Sequence, residues 1–172
     1  MTHHPNPMLR WARHLWMDQD DVRRQLGLQG LQRLQAHVRA SETGHTGEVR
    51  LCIEGGLPWS ALMQGQSARS RALDLFSSLR VWDTEHNNGV LIYLLLADHR
   101  IEILADRGIM QRVGQAPWDA LARQLAASLQ AHQFEQGLMH AVEGVSRLLV
   151  THFPWDGDTP NPNELPDAVV VV

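Results

Sequence analysis

The chain carries an unbroken apolar run, Val90 to Ala97, between the polar loop Asp83-Thr84-Glu85-His86-Asn87-Asn88-Gly89 and the polar pair Asp98-His99. A run of this length bounded by turn residues predicts a strand buried on both faces. From Arg100 to Ala105 the pattern becomes alternation, with Ile101, Ile103 and Ala105 on one face and Arg100, Glu102 and Leu104 on the other. That is the signature of a half-covered strand, and the short break between the two runs predicts a β-hairpin. Upstream, Glu48 to Glu54 alternates as well, placing Val49, Leu51 and Ile53 on one face of a first strand. Ser67 is a suitable N-cap, and Ala68, Ala72, Leu75, Phe76 and Leu79 then form one stripe of a helix. A strand–helix–strand crossover makes the first and central strands parallel, with a right-handed connection.

Helical spacing recurs on either side. Leu31, Leu34 and Val38 predict a helix over Leu28–Ala40 lying on the sheet, with Gly44 as its C-terminal cap. The stretch Gly55 to Gly65 reads as a loop, and so does the segment framed by Gly108 and Gly114. Pro117 suits a first helical turn followed by Trp118, Leu121, Ala122, Leu125 and Leu129. A last helix, Phe134 to His152, shows Leu138, Val142, Val145 and Leu149. From Pro154 the chain is rich in Pro, Asn and Asp and should be extended, its Val169–Val172 end either pairing with a sheet edge or dangling. At the other end, residues 1–7 are expected to be disordered and Asp18 to Asp21 suits a helix start. Met8 to Met17 forms a short basic amphipathic helix with Trp11, Leu15 and Trp16 beside Arg10, Arg13 and His14. It is either a helix that docks on a partner or membrane surface through Trp11 and Trp16, or an arm folded back on the domain. The expected fold is α/β, a three-layer α/β/α sandwich with a small mixed sheet. Its parts are an arm (1–27), a domain (28–153) and a tail (154–172).

Composition narrows the function classes. With 172 residues, 44% apolar and 20% charged, the chain fits one globular domain with extensions. A net charge of -4 gives no basic face for nucleic acid. All fifteen basic residues are Arg, and the absence of Lys excludes Schiff-base chemistry and a P-loop. Cys52 is the sole cysteine, so no internal disulfide forms; it reads as a small packing residue. No stretch reaches transmembrane length and the start lacks a signal-peptide pattern, so a soluble cytoplasmic protein is expected. No organic cofactor is implied: GxSxG, GxGxxG and CxxC are absent, and the ten His show no HExxH spacing.

Sheet geometry sorts the remaining polar residues into two groups. The C-terminal ends of the parallel strands share an edge carrying Glu54, Asp98 and His99, with Arg100 just inside the next strand. Ligands of open α/β sheets bind at such an edge, and Asp98 with Glu54 would suit Ca²⁺ or Mg²⁺. The opposite edge gathers His45, Glu48, Asp83, His86, Asn87, Asn88, Asp106 and Arg107, residue types suited to acid–base or metal work. Turn Asp and Asn also bond the backbone, and Asp106–Arg107 reads equally as a surface ion pair.

The segment Asn88-Gly89-Val90-Leu91, Asp98 with Arg100, Ile103, and Gly108-Ile109 resembles the TPM domain family, also described as thylakoid lumen phosphatase-like. The resemblance spans about residues 28–153, and SETGHTGEVR (41–50) and NELPD (163–167) bring it nearer to a bacterial branch without a membrane anchor. It implies an α/β/α sandwich and a function that varies within the family: acid phosphatase in plants, a receptor's auxiliary subunit in animals, divalent-cation binding in some bacteria. Two departures weaken a carried-over Ca²⁺ site. The family's acidic pair before the hairpin Arg is here Asp98-His99, and the glycine usual in the second hairpin strand is replaced around Asp106. The expected role is a soluble accessory or interaction module for a protein partner, with a divalent cation near Asp98 and Glu54. The alternative is a weak metal-assisted phosphatase drawing its catalytic groups from Asp83, His86, Asp106, Arg107 and Arg100.

Overall fold

The computed structural model describes residues 7–158 and 161–172, with side chains from Arg10 onward. In order, the elements are α1 (Pro7–Trp16), α2 (Gln19–Ser41), a 3-10 turn (Glu42–Gly44), β1 (Val49–Glu54), α3 (Trp59–Met63), α4 (Ala68–Ser78), β2 (Val90–Leu95), β3 (Arg100–Ala105), α5 (Arg107–Val113), α6 (Ala116–Gln130), α7 (Phe134–His152) and β4 (Val170–Val171). The sheet order is β3-β2-β1-β4. β1 runs parallel to β2, from Val49 opposite Val90 to Glu54 opposite Leu95. β2 and β3 form the expected hairpin, with Val90 opposite Ala105 and Leu95 opposite Arg100.

Strand periodicity divides the core in two. Val49, Leu51, Ile53, Val90, Ile92, Leu94 and Ile103 point to one side and pack on α2, α6 and α7 through Leu34, Val38, Trp118, Leu125, Leu138 and Val142. Cys52, Leu91, Tyr93, Leu95 and Leu104 point to the other side and meet Leu62, Ala72, Leu75 and Leu165. Helices therefore cover both faces of the sheet, which makes the three-layer α/β/α sandwich, and all six residues of both β1 and β2 are buried.

Several elements differ from the pattern reading. α2 begins at Gln19, where Asp18 forms a reciprocal capping box with Asp21, and it is kinked at Gly27 (φ 69°), next to the expected arm–domain boundary. The helix ends at Ser41 in a 3-10 turn with Glu42 as its cap, so Gly44 is not the cap. Two stretches expected as loops contain short helices. α3 follows Pro58, and α5 starts at once after the hairpin because Asp106 accepts the Arg107 N–H. The Ser67 cap and the limits of the last helix are as expected. The expectation of disorder over residues 1–6 lies outside the described residues, and Pro7 opens α1. The tail does not dangle: Val170 and Val171 pair in parallel with Cys52 and Ile53. No helix among the described residues is long and apolar enough to cross a membrane.

Candidate functional site

At the C-terminal edge of the parallel strands, each carboxylate has its own cation. Glu54 ends β1, buried, and takes a fork from Arg71 of α4: Nε lies 3.1 and 3.0 Å from Oε1 and Oε2, and Nη2 2.7 Å from Oε1. The Tyr93 hydroxyl donates to Oε2 at 2.7 Å, and burial together with the Glu54 charge pushes that phenol far above its ordinary value. Asp98, in the hairpin turn, receives Arg10 Nε at 3.1 and 3.2 Å, Arg10 Nη2 at 2.9 Å and His14 Nε2 at 2.9 Å. Burial pushes the Asp98 carboxyl up, but the hydrogen bonds from His14 and Arg10 outweigh it and hold the group well below the usual carboxylate range. His14 Nδ1 accepts the Leu57 N–H at 2.9 Å, so the ring is the neutral tautomer with its proton on Nε2. The structure thus engages Asp98 and Glu54 separately. A divalent cation at either would have to displace a guanidinium. Among the described residues no three or more His, Cys, Asp or Glu gather in a metal-holding group. Arg100 lines a cavity of about 330 Å³ beside Asp98, Arg10 and Arg69, away from the other four catalytic candidates.

The opposite edge is built by the loop before β2 and by α5. His86 opens onto a cavity of about 400 Å³ lined also by Thr46, Arg112, His152, Phe153 and Asp156. Arg112 is oriented there by a hydrogen bond to the His152 carbonyl and by stacking 4.0 Å from the centre of the Phe153 ring. Asn88 is fully buried, bonded through Nδ2 to Thr46 Oγ1 at 3.3 Å, and its Oδ1 has no hydrogen-bond partner among the described residues. Asp106 spends one oxygen on capping α5, while its Oδ2 is likewise buried and unpartnered. The expected Asp106–Arg107 ion pair does not form; Arg107 Nε donates to Asn87 Oδ1 at 3.2 Å. Asp83 sits in a backbone turn closed onto Arg80 and does not line the cavity. Gly108 is required here, since a Cβ would lie 2.5 Å from the Asn87 carbonyl oxygen. Arg112, His152 and Asp156 were invisible in the sequence because one falls in an expected loop and the others lie 40 or more residues further on.

A third feature is α1 itself. A surface helix ordinarily turns its apolar side inward. Here Arg10 and His14 face the domain, and Leu15 (62% exposed) and Trp16 (85%) face out. Trp11 meets Trp59 of α3 edge-on, ring centres 5.2 Å apart, and on α3 Trp59 (54%) and Met63 (59%) are themselves exposed. Two glycines admit the arm: a Cβ at Gly55 would lie 2.4 Å from the Asp18 carbonyl oxygen, and one at Gly56 2.5 Å from that of His14.

The fold and this edge chemistry define a three-layer α/β/α protein built on a parallel strand pair and a β-hairpin. Residues 21–148 match the TPM domain family, and the chain belongs to it. Among solved structures, it is similar to the NMR structure of the BA42 protein from the psychrophilic bacterium Bizionia argentinensis, at 27% identity and a TM-score of 0.75. That match covers 86% of this chain and 95% of the other. No curated protein matches the chain.

Proposed function

We propose that the protein is a cytoplasmic accessory module that docks a protein partner through the face formed by α1 and α3. The reading is carried by the seating of α1: Arg10 and His14 are held by Asp98 and the Leu57 amide, while Leu15 and Trp16 on α1 and Trp59 and Met63 on α3, two helices joined by the Trp11–Trp59 contact, are left to solvent. Large apolar side chains exposed on two helices in contact mark an interaction site. The partner surface that fits is apolar with an acidic rim, because Arg13 is the exposed charge on α1 and no acidic residue occurs before Asp18. A photo-crosslinker at position 16 should give discrete protein adducts in cells, and one at exposed Gln130 should not. Equal labelling from both positions would sink the reading.

A second reading, a metal-assisted phosphatase, is supported by one observation. The cavity at His86 holds an oriented Arg112, and two buried oxygens at the same edge, Asn88 Oδ1 and Asp106 Oδ2, lack donors. Oxygens without donors are the kind a hard cation of the Ca²⁺ or Mg²⁺ type takes, whereas those of Asp98 and Glu54 are already held by arginine. The cation would supply a Lewis acid, and Arg112 would clamp a phosphoryl oxygen. Addition of Ca²⁺ or Mg²⁺ should then raise the melting temperature of wild type and of Asp98→Asn but not of Asp106→Asn. Arg112→Ala should lower aryl phosphate turnover by roughly a hundredfold. Turnover unaffected by Arg112→Ala would discard this reading.

A further inference from the structure

We infer that the partner seated on the α1–α3 face is a second copy of this chain, related by a two-fold axis; the inference rests on the docking reading above. Three observations lead to it. The first is area. Given what aromatic side chains bury, Trp16, Trp59, Leu15 and Met63 at their observed exposures offer roughly 500 Å² of apolar surface per copy. Two such faces together reach about 1,000 Å², the floor for a specific interface, which corresponds to a weak and reversible dimer rather than an obligate one.

The second is self-complementarity of charge. An isologous interface brings each residue against a different residue of the same patch. Arg13 is exposed on α1, and exposed Asp18 and Asp20 follow just beyond its end; Asp20 holds Arg23 only loosely, at 3.5 Å with both side chains in solvent. If the axis passes near Leu15 and Trp16 and the two α1 helices run antiparallel, residues equidistant from the axis face one another. Arg13 of one copy then meets the Asp18–Asp20 turn of the other, twice over. The apolar, acid-rimmed surface that fits α1 is thereby present on the chain itself.

The third is side-chain chemistry. Trp16 and Met63 both stay largely exposed within one copy, and a thioether against an indole is a favourable and adaptable contact that a second copy supplies.

The test is sedimentation velocity of the full chain from about 1 to about 500 µM, a range that brackets micromolar association. Wild type should move from monomer to dimer across that range. Trp16→Ser should weaken association about tenfold or more without moving the melting temperature, since the side chain is solvent-exposed. Arg13→Glu should weaken it as well, and Asp20→Arg added to Arg13→Glu should restore it, an outcome that damage to the fold cannot produce. A monomer at every concentration overturns the dimer. If position 16 still crosslinks a different protein, the docking reading survives that result; if it crosslinks nothing, both fall. Pelleting of the wild type with phosphatidylglycerol vesicles, lost in Trp16→Ser and without a dimer, would overturn the dimer in favour of a membrane surface.

Discussion

Individual side chains set where this protein tolerates charge. Glu54 is buried with Arg71 as its counterion, so Arg71→Ala strands a carboxylate in the interior. We expect a loss of about 3–5 kcal/mol in urea unfolding, against a clearly smaller loss for Glu54→Gln, which leaves the hydrogen bond from Tyr93 in place. A second carboxyl behaves oppositely to Asp98. Burial pushes Glu42 up to about 8, aided by the nearby Glu48 and Asp167 charges and opposed by the Val49 N–H it accepts. In the unfolded chain it ionises near 4.5. Between those values the folded state holds the extra proton, so stability falls as pH rises from about 4.5 to about 8 and then levels off. Glu42→Gln should flatten that slope in a melting series. Glu48, also shifted up by burial, should leave a residual slope. Burial likewise pushes the Cys52 thiol up to about 12, so it should resist a thiol reagent until the protein unfolds.

At the scale of elements, the arm and the tail are both fastened by polar contacts at opposite ends of the sheet. α1 is anchored to the hairpin turn through Asp98 and seated on Gly55 and Gly56. Gly56→Ala places a methyl against the His14 and Met17 carbonyls, and the contact atoms are backbone that cannot turn aside. We expect the arm to detach: amide exchange over residues 8–17 should accelerate while β2 stays protected. Unchanged exchange in that segment would show that the anchor is elsewhere. At the other end, Glu48 accepts the Glu164 and Leu165 amides, and the tail continues into β4 beside β1. The interior carboxylate of Glu48 has these two donors because the tail is docked, so removing residues 161–172 should lower the melting temperature. It should also expose the β1 edge, a recognised route to aggregation.

For the whole molecule, the two sheet edges differ in what they leave open. The edge under α1 is closed by Arg10, His14 and Arg71, and its outer surface presents the aromatic face. The edge at Asn88 and Asp106 keeps a cavity and unspent oxygens. An interaction role and a cation- or phosphate-handling role would therefore occupy different ends of one domain. Asp98→Asn should disturb the first and spare the second. A variant that lost both would show that the edges are coupled through the sheet.

The strands, their parallel and antiparallel pairing, the α4 crossover and the span of α7 were legible in the sequence, because periodicity of two or 3.6 residues is a local property that burial then enforces. Cover on both faces of the sheet follows from the unbroken apolar run of the central strand. The helix at Arg107–Val113 was not legible, since two glycines suggested a loop and only the Asp106 cap, formed after the hairpin closes, commits the segment to helix. The candidate metal pair shows the limit most directly. Asp98 and Glu54 do lie toward one edge, but which cation each carboxylate holds depends on Arg10 and Arg71, 88 and 17 residues away in the chain. The direction in which α1 faces was likewise undecided by its pattern. Its apolar and polar sides were plain, yet only the tertiary structure, by offering Asp98 and the Leu57 amide to Arg10 and His14, turned those two residues inward and left Leu15 and Trp16 to solvent.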